Sequence, residues 1–210
     1  MHPPIFDDRF REQLGALFRW RRDVRRFRPD PVPPSLLDSL MERVALTPSV
    51  GLSQPWRFVM VDDPGRRAVV RASFEASNAA ALSGQTLERA GLYARLKLAG
   101  LDEAPCQFAV FAEPDPTQGG GLGRMTMPET TIYSAVMAVH SFWLAARVEG
   151  LGLGWVSILD PQAVTASLDV PPDWVLIGYF CLGYPQAEHE TPELERLGWE
   201  VRRTTMLVRR

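Results

Sequence analysis

The sequence predicts an α+β protein. Four apolar runs with strand character are interleaved with helical stretches, and neither an internal repeat nor a flexible linker divides the 210 residues. The run Gly150-Leu151-Gly152-Leu153-Gly154 narrows the class, because it ends a helix and enters a strand. A dinucleotide-binding turn runs the other way, from strand to helix, so a Rossmann-type NAD site is excluded. One domain over residues 1–210 is expected, long enough for a substantial core.

The elements follow in order. A first helix is predicted over Asp8 to Arg19, ending before a cluster of arginines. A second begins near Ser35, with Asp38 three residues on as a capping-box-like pair, and buries Leu36, Leu37, Leu40 and Val44. Arg57 to Val61 reads as a buried strand, with Asp63-Pro64 as the N-cap and first position of the next helix. Ala68 to Leu98 is Ala-rich and more weakly helical, broken at Gly84 and Gly91, and reads as a mobile excursion or lid. Gln107 to Ala112 is a second strand, and Glu113 to Met127 a glycine-rich loop. The apolar stretch Ile132 to Val148 is interrupted by Ser134, His140, Ser141 and Arg147 and is too short to span a bilayer, so it reads as a buried helix. Its small residues Ser134, Ala138, Ser141 and Ala145 form one narrow face, fit for close packing on a partner subunit or within the same chain. Gly154 to Ile158 and Trp174 to Leu182 are the remaining strands. Asp160-Pro161 opens a short helix, and a charged tail from Pro192 wraps outside the core.

Composition removes several functions. A formal net charge of -2 gives no basic surface for nucleic acid or anionic membrane. Cys106 and Cys181 lie far apart in apolar surroundings, as reduced core residues of a cytoplasmic protein do. Met1 to Phe10 contains no apolar segment of the kind that directs secretion. His2, His140 and His189 are scattered and form no metal-ligand spacing, and His140 reads as a packed helix residue rather than a base. Gly119-Gly120-Gly121 and Gly123-Arg124 lack the spacing of a phosphate loop and read as a flexible connection.

Two segments carry chemistry. Arg21-Arg22-Asp23-Val24-Arg25-Arg26 gathers guanidinium forks, which match phosphate geometry, around one carboxylate. Pro48-Ser49-Val50-Gly51-Leu52-Ser53-Gln54-Pro55-Trp56 is a rigid polar turn able to hold a flat ligand by its edge. Together they suggest a phosphorylated ring cofactor with a carboxylate beside it. Asp23 is either a catalytic group or a structural partner of its neighbouring arginines. Their charges are expected to lower its pKa, which makes it a weak base unless a bound phosphate offsets their field. Gln54 and Trp56 likewise either serve the ligand or finish a turn and plug the core. Ser157 lacks a Gly-x-Ser-x-Gly elbow, so it reads as a hydroxyl that donates to a ligand rather than as a nucleophile.

These segments resemble the nitroreductase-like flavoproteins, which carry an early Arg-Arg-x-x-Arg and a Pro-Ser-x-x-x-x-Gln-Pro-Trp turn. Further matches at Leu96-Lys97-Leu98, Gly123-Arg124, Tyr133-Ser134, Trp143 to Arg147 and Gly154 to Ile158 extend the likeness over Phe18 to Arg202. The pairing of Asp23 with Ser157 resembles one branch, which consumes its flavin. The resemblance implies a nitroreductase-like α+β fold, with a central, mostly antiparallel sheet flanked by helices and a helical lid. It also implies a cytoplasmic homodimer with FMN at the subunit interface. By resemblance, Arg21, Arg22 and Arg25 bind the ribityl phosphate and pyrimidine edge, with Val24 beside them. Ser49, Gly51 and Gln54 line the ring and ribityl chain, Leu98 covers the flavin, and Arg202 adds to the phosphate clamp.

The implied reaction takes reduced FMN and O2 to 5,6-dimethylbenzimidazole and erythrose 4-phosphate. NAD(P)H serves only indirectly, through a separate flavin reductase, and no metal takes part. Asp23 then acts as general base or as an acceptor that orients the ribityl chain, and Ser157 holds the ring near N5 or the peroxide. The competing expectations are an NAD(P)H-dependent flavin, nitro or cobalt-corrinoid reductase on the same fold, and a flavin-sequestering protein without turnover.

Overall fold

The computed structural model describes residues 3–210. His2 lies outside them, as does the start of the Met1 to Phe10 segment. Four strands form one antiparallel sheet in the order β1-β2-β4-β3: β1 (Trp56–Met60), β2 (Cys106–Ala112), β3 (Gly152–Val156) and β4 (Val175–Gly183). Both faces are covered, so the strands read as continuous apolar runs rather than as alternating ones. Phe108, Val110 and Ala112 of β2, with Phe180 and Leu182 of β4, face α2 (Pro34–Val44) and α5 (Thr130–Val148). Ala109, Phe111, Tyr179 and Cys181 point the other way, towards α3 (Pro64–Ser83) and α6 (Pro161–Ser167). The remaining helices are α1 (Asp8–Trp20), α4 (Leu87–Tyr93) and α7 (Glu193–Arg196).

Among the described residues, side-chain caps open three of the seven helices. Asp7, Asp63 and Asp160 each accept a backbone N–H from the first turn of α1, α3 and α6. The Ser35–Asp38 capping box does not form. Pro33 is the N-cap and Pro34 the first helical residue, so the pre-set φ of proline starts α2 before Ser35 and no side chain caps it. The middle region is two helices, α3 ending at Gly84, while Gly91 sits inside α4 instead of breaking it.

The small-residue face of α5 packs within the chain: Ser134, Ala138 and Ala145 are buried against the sheet and α2. The opposite face is left bare. Tyr133, Val136, Met137 and His140 recur at helical spacing and are exposed, so His140 is not packed in the core. Exposed Phe10, Leu14 and Phe18 form a second apolar stripe on the adjacent α1. Among the described residues, no helix is long and apolar enough to cross a membrane.

Candidate active site

The arginine segment follows α1 as extended chain along the free edge of β3. Val24 donates its N–H to the Leu153 carbonyl at 3.0 Å, in a parallel bridge, and Phe27 bridges to Pro185 beyond β4. Gly154 makes this approach possible, because a Cβ there would run into the Val24 carbonyl. Alternation along the segment sends Asp23 and Arg25 to one side and Val24 to the other.

Asp23 is fully engaged. Its Oδ1 accepts the Trp155 N–H at 2.9 Å, and its Oδ2 accepts Nε of Arg25 and lies 2.8 Å from Arg25 Nη2. Asp23 thus caps the β3 edge and pairs with Arg25, the contacts that its structural reading requires. The expected lowering of its pKa is reversed. Burial pushes the carboxyl above the ordinary carboxylate range, although Arg25, the Trp155 N–H and Arg21 all pull it back. Trp155, which makes that bond, lies two residues before Ser157 in the chain. Ser157 itself is exposed, one residue past the end of β3, not within it.

The arginines do different work. Arg22 is spent on carbonyls: Nε donates to Glu190 O at 2.7 Å and Nη1 to Arg21 O at 2.6 Å, with further bonds to Arg19 O and Glu190 O from Nη2. It straps the C-terminal segment down, helped by the Arg26–Glu193 pair at 2.6 Å and the bidentate Arg147–Glu188 pair at 2.6 and 2.8 Å. Arg25 divides itself between Asp23 and the Lys97 carbonyl, the latter at 2.9 Å. Arg21 lies over the Trp143 ring at 4.7 Å, and the Trp143 indole N–H donates to Arg22 O at 3.2 Å. Burial lowers the pKa of Arg21 and of Arg22, and the nearby Arg202 charge lowers both further; Asp23 raises that of Arg21. Such crowding of cations favours an anionic occupant.

Arg202 stands on the exposed tail and closes a cavity of about 140 Å³ with Arg21, Arg22, Asp23, Arg25, Pro192, Glu193 and Leu194. A larger adjoining cavity of about 520 Å³ runs from Arg21 and Val24 past Trp143 and Arg147 to Gln186 and Glu188. Leu98 follows Lys97 directly and so lies beside the Arg25–Asp23 pair, half-buried.

The polar turn is elsewhere. Ser49, Gly51 and Gln54 line neither cavity. Their turn meets α5 at Ser134, whose hydroxyl accepts the Val50 N–H at 3.1 Å, whereas the arginine segment meets α5 at Trp143. Nine helical residues separate these points, about 14 Å along the axis. The turn is self-bonded: Ser49 Oγ accepts the Gln54 N–H at 3.0 Å, and the Gln54 amide donates to Ala45 O at 3.1 Å. Leu52 and Gln54 hold left-handed φ of 56° and 43°, strain of the order of 1 kcal/mol each that clusters at functional turns. Gly51, at φ 56°, sits under the glycine-rich loop, where a Cβ would lie 2.8 Å from Leu122 O. That loop docks on the turn instead of cradling a phosphate. Trp56 is buried in the core.

Trp143, the Glu188–Glu193 strap and the contact of Lys97 with Arg25 were not assigned roles from the sequence. Trp143 alone left a trace there, inside a matched motif. Among the described residues no cluster of metal-ligating side chains exists.

This fold and this site define a class. A model of the nitroreductase family matches residues 18–184, and the chain belongs to that family. Within it, the chain is 58% identical over 207 residues to a 5,6-dimethylbenzimidazole synthase of Rhodospirillum rubrum, covering 99% of this chain and 98% of that protein. A second 5,6-dimethylbenzimidazole synthase, from Rhodobacter capsulatus, is 49% identical over 205 residues, 98% of this chain and 99% of its own. Among solved structures, iodotyrosine deiodinase bound to FMN and 3-iodo-L-tyrosine superposes with a TM-score of 0.73 at 24% identity. It covers 93% of this chain and 97% of its own.

Proposed function

We propose that this protein is a 5,6-dimethylbenzimidazole synthase: an oxidoreductase that takes reduced FMN and O2 to 5,6-dimethylbenzimidazole and erythrose 4-phosphate, as one domain in a homodimer. The observation that carries the reading is the arginine-lined cavity with Asp23 on its wall, in a chain similar over nearly its whole length to proteins of that name.

FMN fits the residues present. Arg21 and Arg202 face the same small cavity with guanidinium groups that can take a phosphate dianion, and Arg25 reaches its edge. Arg22 acts mainly as the strap that keeps the tail, and with it Arg202, in place. Reduced FMN is at once ligand and substrate, supplying both the electrons for oxygen and the carbon skeleton, with its ribityl C1′ ending as C2 of the product. Asp23 has the task of accepting or orienting a proton at the ribityl chain. Burial raises its pKa against the pull of its arginines and so makes it a stronger base than their charges alone would leave. The Ser157 hydroxyl, just past the end of β3, donates a hydrogen bond to the ring. Val24 and Leu98 exclude water from the two flanks.

Ser49, Gly51 and Gln54 serve a site completed by a second copy, because within one chain their turn stands about 14 Å along α5 from the arginine segment. The bare stripes of α5 and α1 suit such a partner, since neighbouring exposed apolar side chains of this kind are what an interface covers. Two buried, unpaired thiols fit the reducing cytoplasm. A separate flavin reductase supplies the reduced FMN.

Aerobic incubation with reduced FMN tests the proposal. Formation of 5,6-dimethylbenzimidazole supports it, and full recovery of intact oxidised FMN by a protein that binds it refutes it.

A further inference from the structure

Residues 94–100, between α4 and β2, connect the helical excursion to the sheet, and they are tied to the arginine segment three times. The Lys97 carbonyl accepts Nη1 of Arg25 at 2.9 Å. The Lys97 ammonium pairs with Oε1 of Glu103, whose Oε2 accepts the Phe27 N–H at 3.4 Å. Gly100 lies so close to the buried Phe27 ring that a Cβ would overlap it. Lys97 is the one lysine among 23 basic residues, and it is half-buried at this junction.

The bonds form a chain of dependence. Arg25 has two anchors, the Asp23 carboxylate and the Lys97 carbonyl. The carbonyl is held where it is by its own side chain, through Glu103, to the backbone two residues beyond Arg25. We propose that Lys97 is a positioning residue for Asp23: its ion pair with Glu103 fixes the carbonyl that aims Arg25 at the Asp23 carboxylate, and so couples closure of the excursion to the state of that carboxylate. The inference rests on the flavin-fragmenting function proposed above. It adds two residues, Lys97 and Glu103, that act through Arg25 without touching the ligand.

Loss of the pair frees the 94–100 segment and lets Arg25 leave Asp23. The other groups facing Asp23 are Arg21 and Arg22 of its own segment, Cys181 of β4, Glu193 of α7 and Arg202 of the tail, and these are unchanged. Removing one adjacent cation therefore raises the carboxyl pKa, and the acid limb of activity moves to higher pH.

The test compares full-length wild type with Lys97→Met, Glu103→Gln and Lys97→Arg. Amide hydrogen exchange over residues 96–100 in the flavin-free protein reads the latch, quenching of flavin fluorescence reads FMN affinity, and the pH profile of 5,6-dimethylbenzimidazole formation reads Asp23. Lys97→Met and Glu103→Gln are expected to exchange about tenfold faster in that segment. They should form product about tenfold more slowly at neutral pH, at FMN concentrations that the quenching shows to be saturating, with the acid limb displaced upward. Lys97→Arg restores the limb. An unmoved acid limb in both variants, or unchanged exchange, overturns the proposal; faster exchange without displacement also overturns it, because the pair is then structural only. A wild type that makes no 5,6-dimethylbenzimidazole refutes the functional reading, while the exchange comparison still decides the latch.

Discussion

Replacing Asp23 by Asn separates catalysis from folding and binding. The carboxylate accepts the Trp155 N–H and two N–H groups of Arg25. Asn retains one carbonyl oxygen, enough for the Trp155 bond, and loses the ion pair. Set against that loss is the cost of keeping an anion at this site, and the raised pKa means that the cost exceeds what Arg25 and the N–H return. The neutral amide is therefore nearly as well housed, and stability should stay within about 1 kcal/mol of wild type, about 2–4 °C in Tm for a chain of this size. FMN affinity should change by no more than about threefold, because Arg21 and Arg202 are untouched. Product formation should fall about 10²- to 10⁴-fold, the range that a positioned proton acceptor contributes. The assay is mass-spectrometric quantitation of 5,6-dimethylbenzimidazole from reduced FMN in air, with flavin binding measured in parallel. A variant that binds FMN and forms product within tenfold of the wild-type rate refutes the role given to Asp23.

Other consequences are as direct. Product formation should rise with pH through the Asp23 pKa, with its acid limb above the ordinary carboxylate value of 3.8; a limb at or below that value contradicts the burial argument. Stability carries the matching sign. A carboxyl whose folded pKa is raised contributes stability that is fully present below its unfolded pKa and lost as pH rises through the folded one, so wild type should gain on Asp23→Asn as the pH falls towards 3.8 in paired thermal melts. Arg202→Ala should weaken FMN binding about tenfold by fluorescence titration while leaving Tm unchanged, because the residue is exposed. Gly154→Ala should displace Val24 from the β3 edge and cost about 1–3 kcal/mol, together with FMN binding; a variant melting and binding as wild type does would show that the edge contact is not needed.

Much of the fold was legible because its signals are local. Strand positions in β1, β2 and β4 followed from predominantly apolar runs, and the Asp-Pro starts of α3 and α6 from capping chemistry that needs only neighbouring residues. The start of α2 was missed because two adjacent prolines outweighed a side-chain cap. Gly91 was misread as a break, since one glycine inside a helix costs only about 1 kcal/mol and the packing of Tyr93 can offset that.

The site divides in the same way. Clustering of Arg21, Arg22, Asp23 and Arg25 is visible in any reading of the chain. Which guanidinium is free is not, because the Arg22 acceptor at Glu190 and the Arg25 acceptor at Lys97 lie 168 and 72 residues away. The direction of the Asp23 pKa was likewise hidden: charge can be counted along the chain, whereas burial depends on the β3 edge to which the segment docks. Small residues of α5 were a fair sign of close packing, but the helix carries a second, apolar face, and only the tertiary arrangement tells which one the sheet takes.

The central claim is that the protein consumes its flavin. It is tested most directly by supplying chemically reduced FMN in air and following both the loss of flavin and the appearance of product by mass spectrometry. The account predicts one 5,6-dimethylbenzimidazole for each FMN lost, with erythrose 4-phosphate beside it. Quantitative return of oxidised FMN, from protein shown to bind it, would contradict the account and leave a flavin reductase or carrier in its place.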